Sequence, residues 1–323
     1  MLDTLNRFLE RALPILTPMG VITGVMLSTF FSSYVFLVPF IFAFITFASS
    51  LAISPKDMKN IVHYPAPILT SMVIIQVIMP LLAFGLGHAF FAGNVETIAG
   101  LVLAFTIPTG VVTLMWVSIY NGSRSLTLAI ILINTLISPF IVPLTLSILI
   151  GGQISLDTWG VMSGLIMMVI LPSALGILVN HLRKGNIIRM SKTLAPLAKL
   201  SLLTVIMLNG SIVAPYLTSI DATVITIFFV VLTLAITSYL IGFFGSRRLG
   251  FASDISISVM FNSGMRNIGV GAAIAVVYFP PAVSLPVILG TLFQQVLAAL
   301  FGKFISRKLQ KEQPEMDPAV RME

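Results

Sequence analysis

Asn262-Ser263-Gly264-Met265-Arg266-Asn267 interrupts an apolar stretch running from about 252 to 278, and it carries the one cation of this chain that falls in no loop or tail. An ion near mid-membrane costs about 2.5–3.5 kcal/mol on insertion scales, and such residues usually face a bundle interior or an aqueous cavity. Asp and Glu stay at the edges of apolar stretches or outside them, so none pairs with Arg266. The missing partner is then an anionic ligand. The competing reading is structural, with the guanidinium held by backbone carbonyls that the Gly264 break frees.

The surroundings of that stretch are those of a membrane protein. Apolar residues make up 57% of the chain and charged residues 9%, with a mean hydropathy of +1.06. A soluble domain carries roughly 25% charged residues. Ten apolar stretches approach the roughly 20 residues that a bilayer core demands. They run at about 13–31, 34–53, 66–91, 96–120, 125–150, 157–181, 195–218, 222–245, 252–278 and 282–303. The expected fold is an all-α membrane protein with ten transmembrane helices. Only Phe31-Ser32-Ser33 separates the first two, which predicts a tight hairpin there. Residues 1–12 read as a short interfacial helix, since no signal-peptide cleavage site follows the first apolar run.

Charge fixes the topology. With ten spans, Arg7, Arg11, Lys56, Lys59, Arg124, Arg183, Lys184, Arg189, Lys192, Lys199, Arg247, Arg248 and the tail from Lys303 to Arg321 all fall on one side. The opposite loops carry Glu96, Asp157 and Asp221. That positive-inside pattern places both termini in the cytoplasm of an integral plasma (inner) membrane protein. The net charge of +7 therefore reports orientation, and no nucleic-acid partner is expected. The absence of cysteine excludes disulfides and thiolate chemistry.

Ten spans divide at the basic loop from His181 to Lys192. Five is odd, so the second half runs inverted relative to the first. The chain is read as one transporter unit: repeat one at about 1–154, repeat two at about 155–304 and a disordered tail at about 305–323. In inverted repeats the substrate site lies near mid-membrane, where discontinuous helices meet. Matching breaks occur in the fourth span, at Ile107-Pro108-Thr109-Gly110, and in the ninth, at Asn262-Ser263-Gly264. Each break starts a new half-helix with free N–H groups and a positive dipole end. Two such ends beside Arg266 make a cradle for a carboxylate. The candidate substrate-binding residues are Arg266, Asn267, Asn262, Ser263, Thr109, Gly110 and Thr113. Asn134 and Asn209 read as helix glue, and Gln294 and Gln295 as facing the cavity. Pro80, Pro139 and Pro172 read as kinks. His63, His88 and His181 lack metal-ligand spacing. No nucleophile–base pair or paired carboxylates lie within spans, so an enzyme is not expected.

The stretch from Phe261 to Phe279 resembles the ninth-helix signature of the bile acid:sodium symporter (BASS) family. Pro108-Thr109-Gly110 resembles its fourth-helix crossover. Thr135-Leu136-Ile137-Ser138-Pro139 and Gln76-Val77-Ile78-Met79-Pro80 resemble its fifth and third helices. The resemblance implies a panel domain, a core domain holding the crossed helices, and alternating access for organic anions such as bile acids or pantoate. It also marks departures. The family's first sodium position falls on Thr113, Leu114, Thr127, Ile131 and Asn262. The second falls on Asn262, Arg266 and Ile75, with Gln76 one place off. Hard cations need several well-placed oxygens, and too few remain, so no metal and no cofactor is expected.

A family carboxylate with two sodium ions carries the same net charge as Asn262 with the Arg266 guanidinium. Arg266 thus stands where sodium would, as a built-in cation. The function expected is a secondary carrier of small organic anions, independent of sodium. A sodium-coupled symporter and a non-transporting sensor on the same scaffold stay open as alternatives.

Overall fold

The computed structural model describes residues 2–51, 64–152, 157–183, 187–217 and 220–312. Lys56, Lys59, His63, Lys184 and residues 313–323 lie outside that set. Twelve helices carry the argument. They are α1 (Leu2–Met26), α2 (Ser28–Ser50), α3 (Pro65–Phe90), α4 (Val95–Thr106), α5 (Thr113–Ile119) and α6 (Arg124–Ile150). After them come α7 (Thr158–Leu182), α8 (Ile187–Ile212), α9 (Ala222–Arg248), α10 (Ser253–Gly264), α11 (Ile268–Tyr278) and α12 (Pro281–Glu312). No strand occurs among the described residues, although one isolated bridge does.

Seven described helices are long and apolar enough to cross a membrane; Ile15–Met26, Val95–Thr106 and Ile268–Tyr278 are apolar but shorter. Their outer faces are unlike a soluble surface. Phe40, Ile148 and Trp159 are each more than 70% exposed, which suits lipid contact and not water. Side-chain caps start four helices: Asn94 accepts from Thr97 N–H, Ser123 from Leu126, Asp157 from Gly160 and Asp221 from Val224. Asp157 and Asp221 thereby also place negative charge at positive helix ends.

Two expectations shift at the chain's ends. The first turn falls at Leu27, and Phe31-Ser32-Ser33 is helical; α1 and α2 each pack on α8. No Gly or Pro stands at 31–33 to break the helix, and the Ser32 hydroxyl donates back to the Thr29 carbonyl. At the other end the described part of α12 continues to Glu312, past the 305 at which the tail was expected to begin, because a helix once formed propagates at little cost.

The helices pack as two groups. One is α1, α2, α7 and α8; the other is α3 to α6 and α9 to α12. They meet where α7 lies on α6 and α11, α1 on α12, and α8 on α11.

Candidate functional site

Two interrupted helices meet between these groups. Ile107 ends α4 in an extended conformation (ψ 147°), as the residue before a proline prefers. The chain resumes helix only at Thr113. On the other strand Gly264 ends α10, Met265 is extended (φ −107°, ψ 113°), and α11 begins at Ile268. The breaks satisfy each other. Thr109 and Arg266 form an antiparallel bridge, and Asn267 N–H donates to the Pro108 carbonyl at 2.7 Å. Gly110 permits the approach, since a Cβ there would lie 3.3 Å from the Arg266 carbonyl. The expected pair of positive helix ends is reduced to one. α11 has a full helix behind its N-terminus, whereas α5 spans only seven residues and sums too few peptide dipoles.

Arg266 is 2% exposed and is the one charged side chain buried among the described residues. Its Nη1 donates to the Ile75 carbonyl at 3.3 Å. That carbonyl is available for a definite reason. A π-turn at Ile74–Ile78 sends Met79 N–H to Ile74, and the next donor in that register would be Pro80, which has no N–H. Pro80 therefore does more than kink α3. The carbonyl comes from another helix, not from the Gly264 break. Gln294 Nε2 holds the Arg266 carbonyl at 2.8 Å. Nε and Nη2 have no partner among the described residues.

A chain of side chains braces the crossing from behind. Gln76 donates to Asn134, Asn134 to the Thr109 hydroxyl at 3.3 Å, and that hydroxyl to the Asn262 carbonyl at 3.0 Å. Asn262 Nδ2 donates to the Thr127 hydroxyl and to the Ser258 carbonyl. Asn134 is thus glue, as its sequence context predicts. Asn262, Ser263 and Thr113 are all fully buried and stand away from the cavity wall. The Ser263 carbonyl accepts from the Ser238 hydroxyl.

At the positions corresponding to sodium ligands, Leu114 and Ile131 bring no side-chain oxygen. Asn262 presents a donor to Thr127, and the unpartnered side-chain oxygens are Thr113 Oγ1, Asn262 Oδ1 and, one place off, Gln76 Oε1, while Arg266 brings donors alone. This set fits a cation poorly. No group of three His, Cys, Asp or Glu side chains that could hold a metal ion occurs among the described residues.

A cavity of about 110 Å³ opens between the two helix groups. Thr109, Gly110, Arg266 and Asn267 form its floor, with Gln294 and Gln295 of α12 beside them. Gln295 is also tied down, accepting from Trp116 Nε1 at 3.0 Å. The facing wall brings hydroxyls that the sequence did not single out, among them Thr17, Ser50 and Ser173, and the Asn209 amide. Asn209 Oδ1 has no partner, so Asn209 faces the cavity instead of gluing helices. Ser and Thr in apolar spans so often bond their own helix that nothing in the sequence separated these.

Interrupted helices crossing beside a polar cavity, inside a bundle of apolar helices, define a multi-pass membrane transporter. Residues 38–220 match the Sodium Bile acid symporter family. The chain is 45% identical over 300 residues to YbaS of Bacillus subtilis (strain 168), covering 91% of this chain and 97% of that protein. The chain belongs to that family. It is also 23% identical over 287 residues to YocS of the same organism, named as an uncharacterized sodium-dependent transporter, covering 89% of this chain and 87% of that one. A protein of Oryza sativa subsp. japonica, named "Probable sodium/metabolite cotransporter BASS1, chloroplastic", is 22% identical, over 80% of this chain and 63% of its own length.

Proposed function

We propose that this transporter carries small organic anions, pantoate-like carboxylates foremost, across the plasma membrane without sodium. The observation that carries this reading is Arg266: a residue on the floor of the cavity with a buried guanidinium, two of its nitrogens unpartnered and no buried carboxylate among the described residues to neutralise it. A monocarboxylate at the crossing compensates that charge and accepts a charge-assisted hydrogen bond. Asn267 and Thr109 then read the ligand's hydroxyl or carbonyl. One aromatic ring, Phe42, among the described lining residues supports a small acid over a steroid.

In this reading the chain crosses ten times as two inverted repeats, with both termini cytoplasmic. The group holding the crossing is a core that moves against the panel of α1, α2, α7 and α8. The cavity alternately opens to each side. The printed names of YocS and BASS1 favour a second reading, sodium-coupled symport.

Uptake of labelled pantoate and taurocholate into proteoliposomes, with sodium or choline outside, separates the two. Equal uptake in both salts, abolished by Arg266→Ala, is the expected result. A strict requirement for sodium establishes the second reading instead.

A further inference from the structure

Arg266 lines a second, smaller cavity on the far side of the crossing. Every lining residue of that cavity belongs to α4, α9, α10, α11, α12 or the break at Arg266. It lies within the core group and has no wall from the panel. Its volume is about 20 Å³, above the roughly 10–15 Å³ that one water-sized sphere needs. Its walls are mostly apolar, with Arg266, Gln294 and Tyr239 as the polar exceptions.

Tyr239 is fully buried, and its hydroxyl has no partner in the described structure. It is held there rigidly. Its ring stacks on Phe301 at 4.6 Å and presses against Gly264, where an added Cβ would come within 2.5 Å of the ring. Two residues that carry unpartnered buried donors, N–H on Arg266 and O–H on Tyr239, thus line one small cavity. A guanidinium is donor-only and charged. A water molecule would leave that charge uncompensated, which costs several kcal/mol in a buried site.

We propose that a monovalent inorganic anion of halide size binds in this rear cavity, between the Arg266 guanidinium and the Tyr239 hydroxyl. Because its walls belong to the core, the anion travels with Arg266 and neutralises it when the main cavity is empty. An organic anion in the main cavity competes for the same positive charge; this last step rests on the function proposed above, while halide binding itself does not.

The test is thermal unfolding of the purified full-length protein, with no carboxylate present, in potassium chloride or bromide against potassium methanesulfonate at equal ionic strength. Halide is expected to raise Tm saturably, by about 5 °C at a hundredfold excess over its Kd. Tyr239→Phe should lose most of that rise, and Arg266→Gln all of it. Equal Tm in halide and methanesulfonate overturns the proposal, as does a full rise in Tyr239→Phe, which would place the ion in the main cavity. Should the variants fold poorly, crystals of the unaltered protein in bromide decide: an anomalous peak between Arg266 and Tyr239 supports the site, and its absence there refutes it. Halide binding without organic-anion uptake would sink only the proposed function, and the converse would sink only this site.

Discussion

Asn267 N–H reaches the Pro108 carbonyl across 2.7 Å, so each interrupted helix supplies what the other lacks. The break between α4 and α5 frees backbone groups that would be costly in a membrane interior, and the break between α10 and α11 takes them up. The Thr109–Arg266 bridge extends the same arrangement. Arg266 is fixed by backbone pairing before its side chain makes any contact.

The Thr109 hydroxyl is central to this brace, accepting from Asn134 and donating to the Asn262 carbonyl. Thr109→Val keeps the shape and leaves both partners unsatisfied. Membrane hydrogen bonds average about 0.6 kcal/mol and reach about 1.7, so a loss of roughly 1–2 kcal/mol is expected. A lowered midpoint in chemical or thermal unfolding checks it, with Thr226→Val as a control. Thr226 is exposed and bonds only its own helix, at Ala222.

Arg266→Lys separates charge from geometry. Lysine keeps the cation but loses the planar fork that reaches Ile75 with one edge and leaves two free. Sodium-independent uptake should persist with KM raised about tenfold, whereas Arg266→Met should abolish it. Uptake kinetics in choline medium read both. Equal behaviour of the two variants would assign Arg266 a purely structural role.

The crossing was legible in the sequence because Pro108, Gly110 and Gly264 punctuate apolar spans that otherwise have no reason to break. Arg266 was legible because a lone intramembrane cation is conspicuous. Its contact was not. The carbonyls expected to meet it were those freed at the Gly264 break, yet the group that does so is the Ile75 carbonyl on α3, freed by a π-turn that no composition marks. Gln76 holds Asn134, a pairing between helices that only packing reveals. Asn262 and Ser263 share the motif with Arg266, and Thr113 follows the matching break, but helix geometry turns all three into the core and sends Asn267 to the cavity.

Charge exchange makes the sodium question experimental. Asn262→Glu with Arg266→Gln restores a carboxylate beside Thr127 and Thr113 and removes the fixed cation. Uptake by this double variant should rise severalfold on replacing choline with sodium. Each single change should be inactive, one leaving an extra charge and the other none. A double variant indifferent to sodium would count against Arg266 as the substitute for bound ions.

The approach of α4 to α12 beside the crossing rests on Gly100. A Cβ there would sit 2.4 Å from the Val283 carbonyl and 2.9 Å from the Pro286 ring. Backbone stands in the way and no side chain can rotate aside, so α12 must shift. Overpacking of this kind costs about 1–3 kcal/mol. Gly85 on α3 has nothing within 4 Å of the same hypothetical atom, and alanine there should stabilise by about 0.5–1 kcal/mol through helix propensity. Gly100→Ala should therefore lower the unfolding midpoint while Gly85→Ala raises it slightly. The shift matters for transport as well, because α12 carries Gln294, which holds the Arg266 carbonyl. Gly100→Ala should slow uptake beyond what its lost stability explains; normal uptake per folded molecule would show that the crossing tolerates a displaced α12.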